Sequence, residues 1–301
     1  MRRSDYDVSD SIRTTDPAAV AAEVRRLFQS LYPEAANQPL ERAFVDAERL
    51  YRGQHPRFHR CDTDYHDLQH VLDVTLAQAR LMDGYERMRN GAEALPAALF
   101  TVGVICALFH DMGYLRRRGD RRHRNGAEYM LTRVSRGAPF LLAYLSGAGL
   151  GRYARAAEAL VHYTGYERPV QSICVDNPLL RRIGQMLGTA DIIAQMSDRC
   201  YLEKCRDRLY PEFVAGRVAS TLFRSGAELV RKTPGFYLNA TKRLDLQLAR
   251  AYEYAGRHFG GQNLYLEEMQ KNVRHARLVA DAGRDDLLRR TPPSTRPAAN
   301  Q

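Results

Sequence analysis

The sequence predicts an all-α protein built as one helical bundle, and three observations lead there. Apolar residues recur at three- and four-residue spacing, as in Val20, Val24, Leu27, Phe28 and Leu31. No stretch shows a sustained period-two alternation of apolar and polar residues, the pattern of a half-buried strand. Turn-forming pairs such as Asp16-Pro17, Asn90-Gly91 and Pro234-Gly235 fall between the periodic stretches.

Residues 1–15 lack periodicity and are expected to form a disordered N-terminus. Asp16 as N-cap and Pro17 in the first turn open a helix that runs to about Leu31. A second helix follows Pro39, with Leu40, Phe44, Ala47, Leu50 and Tyr51 on its buried stripe, and ends at His55-Pro56. The segment Tyr65–Val74 begins a third, reaching about Met82, with Asp83-Gly84 and Asn90-Gly91 flanking a loop. Further helices are expected over 96–111, 123–135, 139–147, 152–163, 177–197 and 198–209. Tyr210-Pro211 and Thr233-Pro234-Gly235 read as breaks, and helical patterns resume at 217–231, 238–257 and 262–282. The Pro- and Arg-rich stretch 284–301 is expected to be a disordered tail, leaving 16–283 as a single helical domain.

At 301 residues the chain can bury a substantial core. Its net charge of +10 is carried almost wholly by arginine, since the only lysines are 204, 232, 242 and 271. Arginine suits bidentate phosphate contacts. The local cluster Arg116–Arg124 reads either as a grip for substrate phosphates or as a solvated loop. Five cysteines, with no CxxC pair, read as reduced thiols, and with the polar N-terminus they predict a cytoplasmic protein. The run Pro96–Phe109 falls short of the roughly 18 apolar residues a membrane helix needs, so no membrane partner is expected.

That run extends into Leu99–Gly113, which delivers His110 and Asp111 side by side at the end of a buried segment. Burying such a pair is costly unless it is partnered or metal-bound. Partners of the right type exist elsewhere. His66 and His70 lie four apart, on one face of the expected third helix, with Tyr65 and Asp73 beside them. Asp73 is a candidate acceptor for orienting a histidine. His162 ends the segment Ala156–His162, and Asp191 lies among small and apolar residues in Gly188-Thr-Ala-Asp-Ile-Ile-Ala-Gln195. These residues sit on helices that should each face the interior, which favours a shared site. His55, His59, His258 and His275 have no such companions and read as surface residues. The segment 198–210 follows Asp191 and is a candidate wall for the site.

The order His70, His110-Asp111, Asp191 resembles the metal-dependent phosphohydrolases of the HD superfamily over about residues 60–200. YHDLQHVLDV (Tyr65–Val74) is similar to the YHNxxHxxDV motif of class I cyclic-nucleotide phosphodiesterases, and GTADIIAQ to their TADL-type segment. The resemblance implies an HD-domain or PDEase-like helical bundle whose pocket is completed by the C-terminal helices. It implies His70, His110, Asp111 and Asp191 as ligands of a first metal ion, Zn, Mn, Fe or Co. Asp111 would bridge to a second ion, Mg or Mn, with His162, or else His123, serving that ion. His66 would be the general acid that protonates the leaving oxygen. Such ions acidify water and offset charge building on phosphoryl oxygens. The chain departs from the phosphodiesterase pattern at Asp67, where the motif has Asn, and at Tyr114, where it has His.

The expected function is hydrolysis of a phosphodiester or phosphomonoester bond in a nucleotide-like substrate. The alternative is a metal-binding regulatory module that holds nucleic acid or a nucleotide on its basic surface without turnover. No helix-turn-helix, zinc-finger or RNA-binding signature accompanies that alternative.

Overall fold

Two successive helices are buried on every side, and the rest of the chain wraps them. The computed structural model describes residues 2–218 and 222–293. Helices α1 (Pro17–Leu31) and α2 (Gln38–Tyr51) lead into α3 (Leu68–Met88) and α4 (Ala97–Phe109). Then come α5 (Arg133–Gly147), α6 (Ala154–Leu160) and α7 (Pro178–Ser197). Helices α8 (Tyr201–Lys204) and α9 (Tyr210–Ala215) are joined by a π-helical stretch, Cys205–Leu209. Helices α10 (Gly226–Leu246), α11 (Glu253–His258) and α12 (Leu264–Ala282) complete the bundle. Among the described residues the only β pairing is two isolated bridges, Tyr6 with Arg13 and Phe58 with Arg117, so the fold is all-α.

Helix α3 is the hub, packed against α1, α4, α7 and α11. Its apolar stripe of Leu68, Val71, Leu72 and Leu76 is buried, and so are Thr75, Gln78, Arg80 and Asp83 on its other sides. Helix α4 has no polar face at all, and every residue from Leu99 to Phe109 is buried. The window Ala97–Tyr114 is long and apolar enough to cross a bilayer by composition, beyond the Pro96–Phe109 run. In this fold 89% of it is buried inside the bundle.

Several boundaries differ from the expected ones, each for a local reason. Helix α3 runs straight through Asp83-Gly84. Gly84 is there because the carbonyl of Tyr254 on α11 comes so close that a Cβ would sit 1.8 Å from it. Helix α5 passes through Pro139 and α10 through Pro234 without ending. Of the expected 123–135 helix only 133–135 are helical, as the start of α5; the rest is a loop and a short 3-10 turn, Gly126–Tyr129, capped by Asn125. The expected 238–257 helix is interrupted at Ala249 and Arg250, both in the left-handed region at φ 50° and 54°. The expected helix start at 217 lies partly outside the described residues; the observed one begins at Gly226, with the Ser225 side chain accepting from the Glu228 N–H.

Residues 2–15, expected to be disordered, are folded against the bundle. The carboxylate of Asp7 accepts from the N–H groups of Ser9, Ser11 and Ile12 and pairs with the buried Arg80 of α3 at 2.6 Å. The expected tail also starts in place. Leu288 is buried, and Arg208 donates to the carbonyls of Pro292 and Pro293. The rest of that expectation, 294–301, lies outside the described residues.

Candidate metal centre

Three chain segments bring ligand-type side chains to one point. The Asp67 carboxylate accepts from the N–H of His70 at 3.0 Å, which starts α3 at Leu68 and sets His70 in its first turn. Helix α4 ends at Phe109 and places His110 and Asp111 directly behind it. Asp191 projects from the middle of α7. All four are buried. The two imidazoles meet Nε2 to Nε2 at 3.3 Å, and Asp111 Oδ2 lies 3.3 Å from each. Asp191 Oδ1 is 3.5 Å from His70 Nε2 and 3.9 Å from His110 Nε2. His70, His110 and Asp191 thus offer three ligand atoms all within 4.8 Å of one another.

The chemistry of this donor set fits a metal ion. His110 Nδ1–H donates to the Ala107 carbonyl at 2.8 Å, so the neutral ring presents the lone pair of Nε2 to the cluster. Asp111 Oδ2 is buried with no hydrogen-bond partner. Orphaned buried acceptors of this kind are costly, and a shared cation satisfies them together. The local field asks for positive charge. Burial works against a charged imidazole at His110, yet Asp111 and then Asp191 outweigh it and push its pKa up to about 9. Burial likewise opposes ionisation of Asp111, but His110 and Arg133 hold its carboxyl well below the usual range.

The other oxygen of Asp111, Oδ1, accepts from Arg133 Nε at 3.0 Å. Arg133 is the first residue of α5, reached through a tight contact. A Cβ on Gly113 would lie 1.7 Å from the Arg133 carbonyl, so only glycine allows the turn after Asp111 to touch α5.

His66 lies outside α3, because the Asp67 cap begins the helix one residue later. The i, i+4 placement on one helix face therefore does not apply to it. It still reaches the cluster, its ring centroid 5.4 Å from that of His70. A different residue holds it there. Glu212 of α9 accepts from His66 Nδ1–H at 2.5 Å through Oε2, and from the N–H groups of Tyr65 and His66 through Oε1. Tyr114 stacks on the opposite side at 4.5 Å between ring centroids. Burial disfavours the charged imidazole, but the Glu212 carboxylate more than offsets this and raises the pKa of His66.

His66, Arg133 and Asp191 line a cleft of about 360 Å³, together with the polar Glu167, Gln195 and Arg243. Its apolar lining includes Ile192, Leu209, Phe213 and Phe236. Leu209 comes from the segment expected to wall the site.

Other sequence-based candidates go elsewhere. His162 is buried in a 3-10 turn at the end of α6 and lies outside the ligand cluster, its Nδ1 without a partner. His123 is bound to Asp120 and the hydroxyl of Tyr129 in a surface loop. Asp73 lies among Asp7, Ser197 and Asp198 on the side of α3 that meets the N-terminal segment, so it orients no histidine of the cluster. His258, read as a surface residue, is half-buried with Nδ1 2.6 Å from Asp83. The arginines of the 116–124 cluster do not line the cleft. Arg116 pairs with Asp62 at 2.7 Å, while Arg117 and Arg118 line a separate surface hollow with Arg57 and Arg136. Glu212 and Arg133 were missed. Neither stands in a motif, and Glu212 lies 146 residues from His66.

No protein-family model and no curated protein sequence matches the chain. Solved structures do. The phosphodiesterase domain of the rhodopsin phosphodiesterase of Salpingoeca rosetta superposes with a TM-score of 0.55 at 14% identity, over 94% of this chain and 93% of that one. A second structure, the phosphodiesterase domain of the RhoPDE fusion protein from the same choanoflagellate, gives 0.54 at 13% identity, over 93% and 96%. The all-α, PDEase-like bundle expected from the sequence is the fold of this chain.

Proposed function

We propose that this chain is a metal-dependent phosphohydrolase that cleaves a phosphodiester or phosphomonoester bond of a nucleotide-like substrate. The observation that carries the reading is Asp111 Oδ2, a buried carboxylate oxygen without a donor, set between two imidazole nitrogens beside a cleft. The fold shared with two phosphodiesterase domains supports it. His70, His110, Asp111 and Asp191 would hold a divalent ion, and their mixed nitrogen and oxygen donors suit Zn, Mn, Fe or Co. Such an ion, when bound, polarises a phosphoryl oxygen and acidifies water.

The remaining work falls to the chain itself. As the bond from the water oxygen to phosphorus forms, with the water's proton released to solvent, the bond from phosphorus to the leaving oxygen breaks. His66 gives its Nε2 proton to that oxygen. Glu212 fixes the ring by holding Nδ1–H, so that Nε2 is the nitrogen free to act. The apolar wall of Leu209, Phe213 and Phe236 suits the nucleoside part of the substrate and keeps bulk water from the reacting centre. The catalytic unit is read as one domain over 16–283, with the packed flanks 2–15 and 284–293 attached. Its five free cysteines suit a reducing, cytoplasmic setting.

Metal analysis of the purified protein, with a panel of bis(p-nitrophenyl) phosphate and nucleotides in Mn²⁺, tests the reading. The wild type should carry metal and turn over, and Asp111→Ala should lose both. No bound metal and no turnover after Mn²⁺ addition would overturn it, and an active, metal-loaded Asp111→Ala would place the site elsewhere. The second reading, an anion-holding module, draws on the hollow lined by Arg57, Arg117, Arg118 and Arg136. Nucleic-acid retention that falls steeply with salt would favour it.

A further inference from the structure

We infer that the second positive charge of this site is the guanidinium of Arg133, standing where a second metal ion would bind, and that the chain holds one ion. The inference rests on the metal-site reading above and replaces the expectation of two ions.

The two oxygens of Asp111 are already divided. Oδ2 points at the imidazoles, and Oδ1 takes the N–H of Arg133 at 3.0 Å. A carboxylate that bridges two ions about 3.5–4 Å apart with one oxygen on each uses both oxygens for metal. Here one is committed to a cation that cannot leave by losing its proton, since arginine stays charged in proteins.

A second ion would also find no second cluster of protein donors and would depend on Asp111 and water alone. Among the described residues, the His, Cys, Asp and Glu side chains with ligand atoms close enough to share an ion gather at one point, His70, His110 and Asp191 with Asp111 Oδ2 beside them. The histidines proposed for a second ion are not there. His162 lies outside the cluster, and His123 is bound to Asp120 and Tyr129. At Tyr114 the chain puts a buried phenol, stacked on His66 and 5.6 Å from the Arg133 guanidinium.

Arg133 is also placed by construction. As the first residue of α5 it sits at a helix N-terminus, where the macrodipole disfavours a cation. The Val134 and Ser135 N–H groups of that first turn are taken by the Glu167 carboxylate at 2.7 and 3.0 Å. The Gly113 contact fixes the Arg133 backbone, and one turn later Arg136 donates to the carbonyls of Gly113 and Leu115. The side chain is only 13% exposed and lines the cleft beside His66 and Asp191. A planar fork with Nε bound to Asp111 is suited to take a phosphoryl oxygen with its remaining N–H groups.

The test is the metal count of the wild-type chain, equilibrated with excess Mn²⁺ and freed of unbound ion by gel filtration, read by elemental analysis and electron paramagnetic resonance. One Mn per chain with the six-line signal of an isolated ion is expected. Two per chain, or the spin-coupled signal of a pair, overturns the inference and leaves the metal-site reading intact. No bound Mn overturns both. In Arg133→Gln the count should stay at one while kcat/KM falls by about 10²–10³, the loss typical of removing one donor to a developing oxyanion. Unchanged kcat/KM with one ion bound would show that the guanidinium does not serve the phosphoryl group. If that variant does not fold, the wild-type count and signal still decide the matter.

Discussion

Glu212→Gln isolates the proton-donor role proposed for His66. The substitution keeps an amide oxygen where Oε1 now accepts from the N–H groups of Tyr65 and His66, so the loop before α3 stays satisfied. It replaces Oε2, which accepts from His66 Nδ1–H at 2.5 Å inside a buried pair, with an NH₂ group that cannot accept. A hydrogen bond to a charged group contributes about 1.5–3 kcal/mol. At roughly 1.4 kcal/mol per tenfold change, its loss should slow protonation of the leaving oxygen by about 10–150-fold. The assay compares two substrates on one enzyme preparation. A nucleotide ester, whose alkoxide leaving group needs the proton, should show the full loss. Bis(p-nitrophenyl) phosphate, whose phenolate departs without help, should show little. Metal content and thermal unfolding should match the wild type. An equal loss on both substrates would refute the reasoning, because it would show that Glu212 merely shapes the site.

Two further predictions concern stability. Asp7→Asn breaks a buried ion pair with Arg80 and should cost about 3–5 kcal/mol in denaturant unfolding. Burial opposes the charge on Asp7, but Arg80 and the donors around it keep its pKa below the ordinary 3.8. The unfolded chain therefore takes up that proton first as pH falls. The contribution is complete above about pH 4 and is lost below it, so the variant should show a shallower decline there than the wild type. Gly84→Ala puts a Cβ 1.8 Å from the Tyr254 carbonyl, backbone against backbone. It should destabilise by about 1–3 kcal/mol through separation of α3 and α11, and an unchanged unfolding midpoint would refute the close-approach argument.

What the sequence disclosed depended on how local each signal is. The Asp16-Pro17 opening is read within a turn, and α1 starts where that pair predicts. His70, His110, Asp111 and Asp191 were legible because each sits in an apolar stretch that wants burial, and burial forces them together. Polar residues whose partners are far along the chain were not legible. Gln78, Arg80 and Asp83 look like the solvent side of α3, but Asp7 and His258 reach Arg80 and Asp83 from both ends of the molecule. The same is true of Glu212 and Arg133, whose roles come only from what they touch. His162 shows the converse error. A histidine at the end of an apolar helix is buried as expected, but its helix delivers it away from the others.

The π-helical stretch Cys205–Leu209 has a consequence for how this sequence tolerates insertion and loss. Each turn there holds one residue more than an α-turn, which advances everything downstream by about 100° around the axis. Glu212 follows three residues later, so its aim at His66 depends on that surplus residue. A chain lacking one residue between Cys205 and Leu209 would keep every histidine and aspartate of the proposed metal cluster in order. It would nonetheless turn the carboxylate away from the imidazole it holds. Relatives compared by their ligand residues alone would look equivalent across such a gap, whereas the phase of this one helix would separate those that can hold His66 from those that cannot.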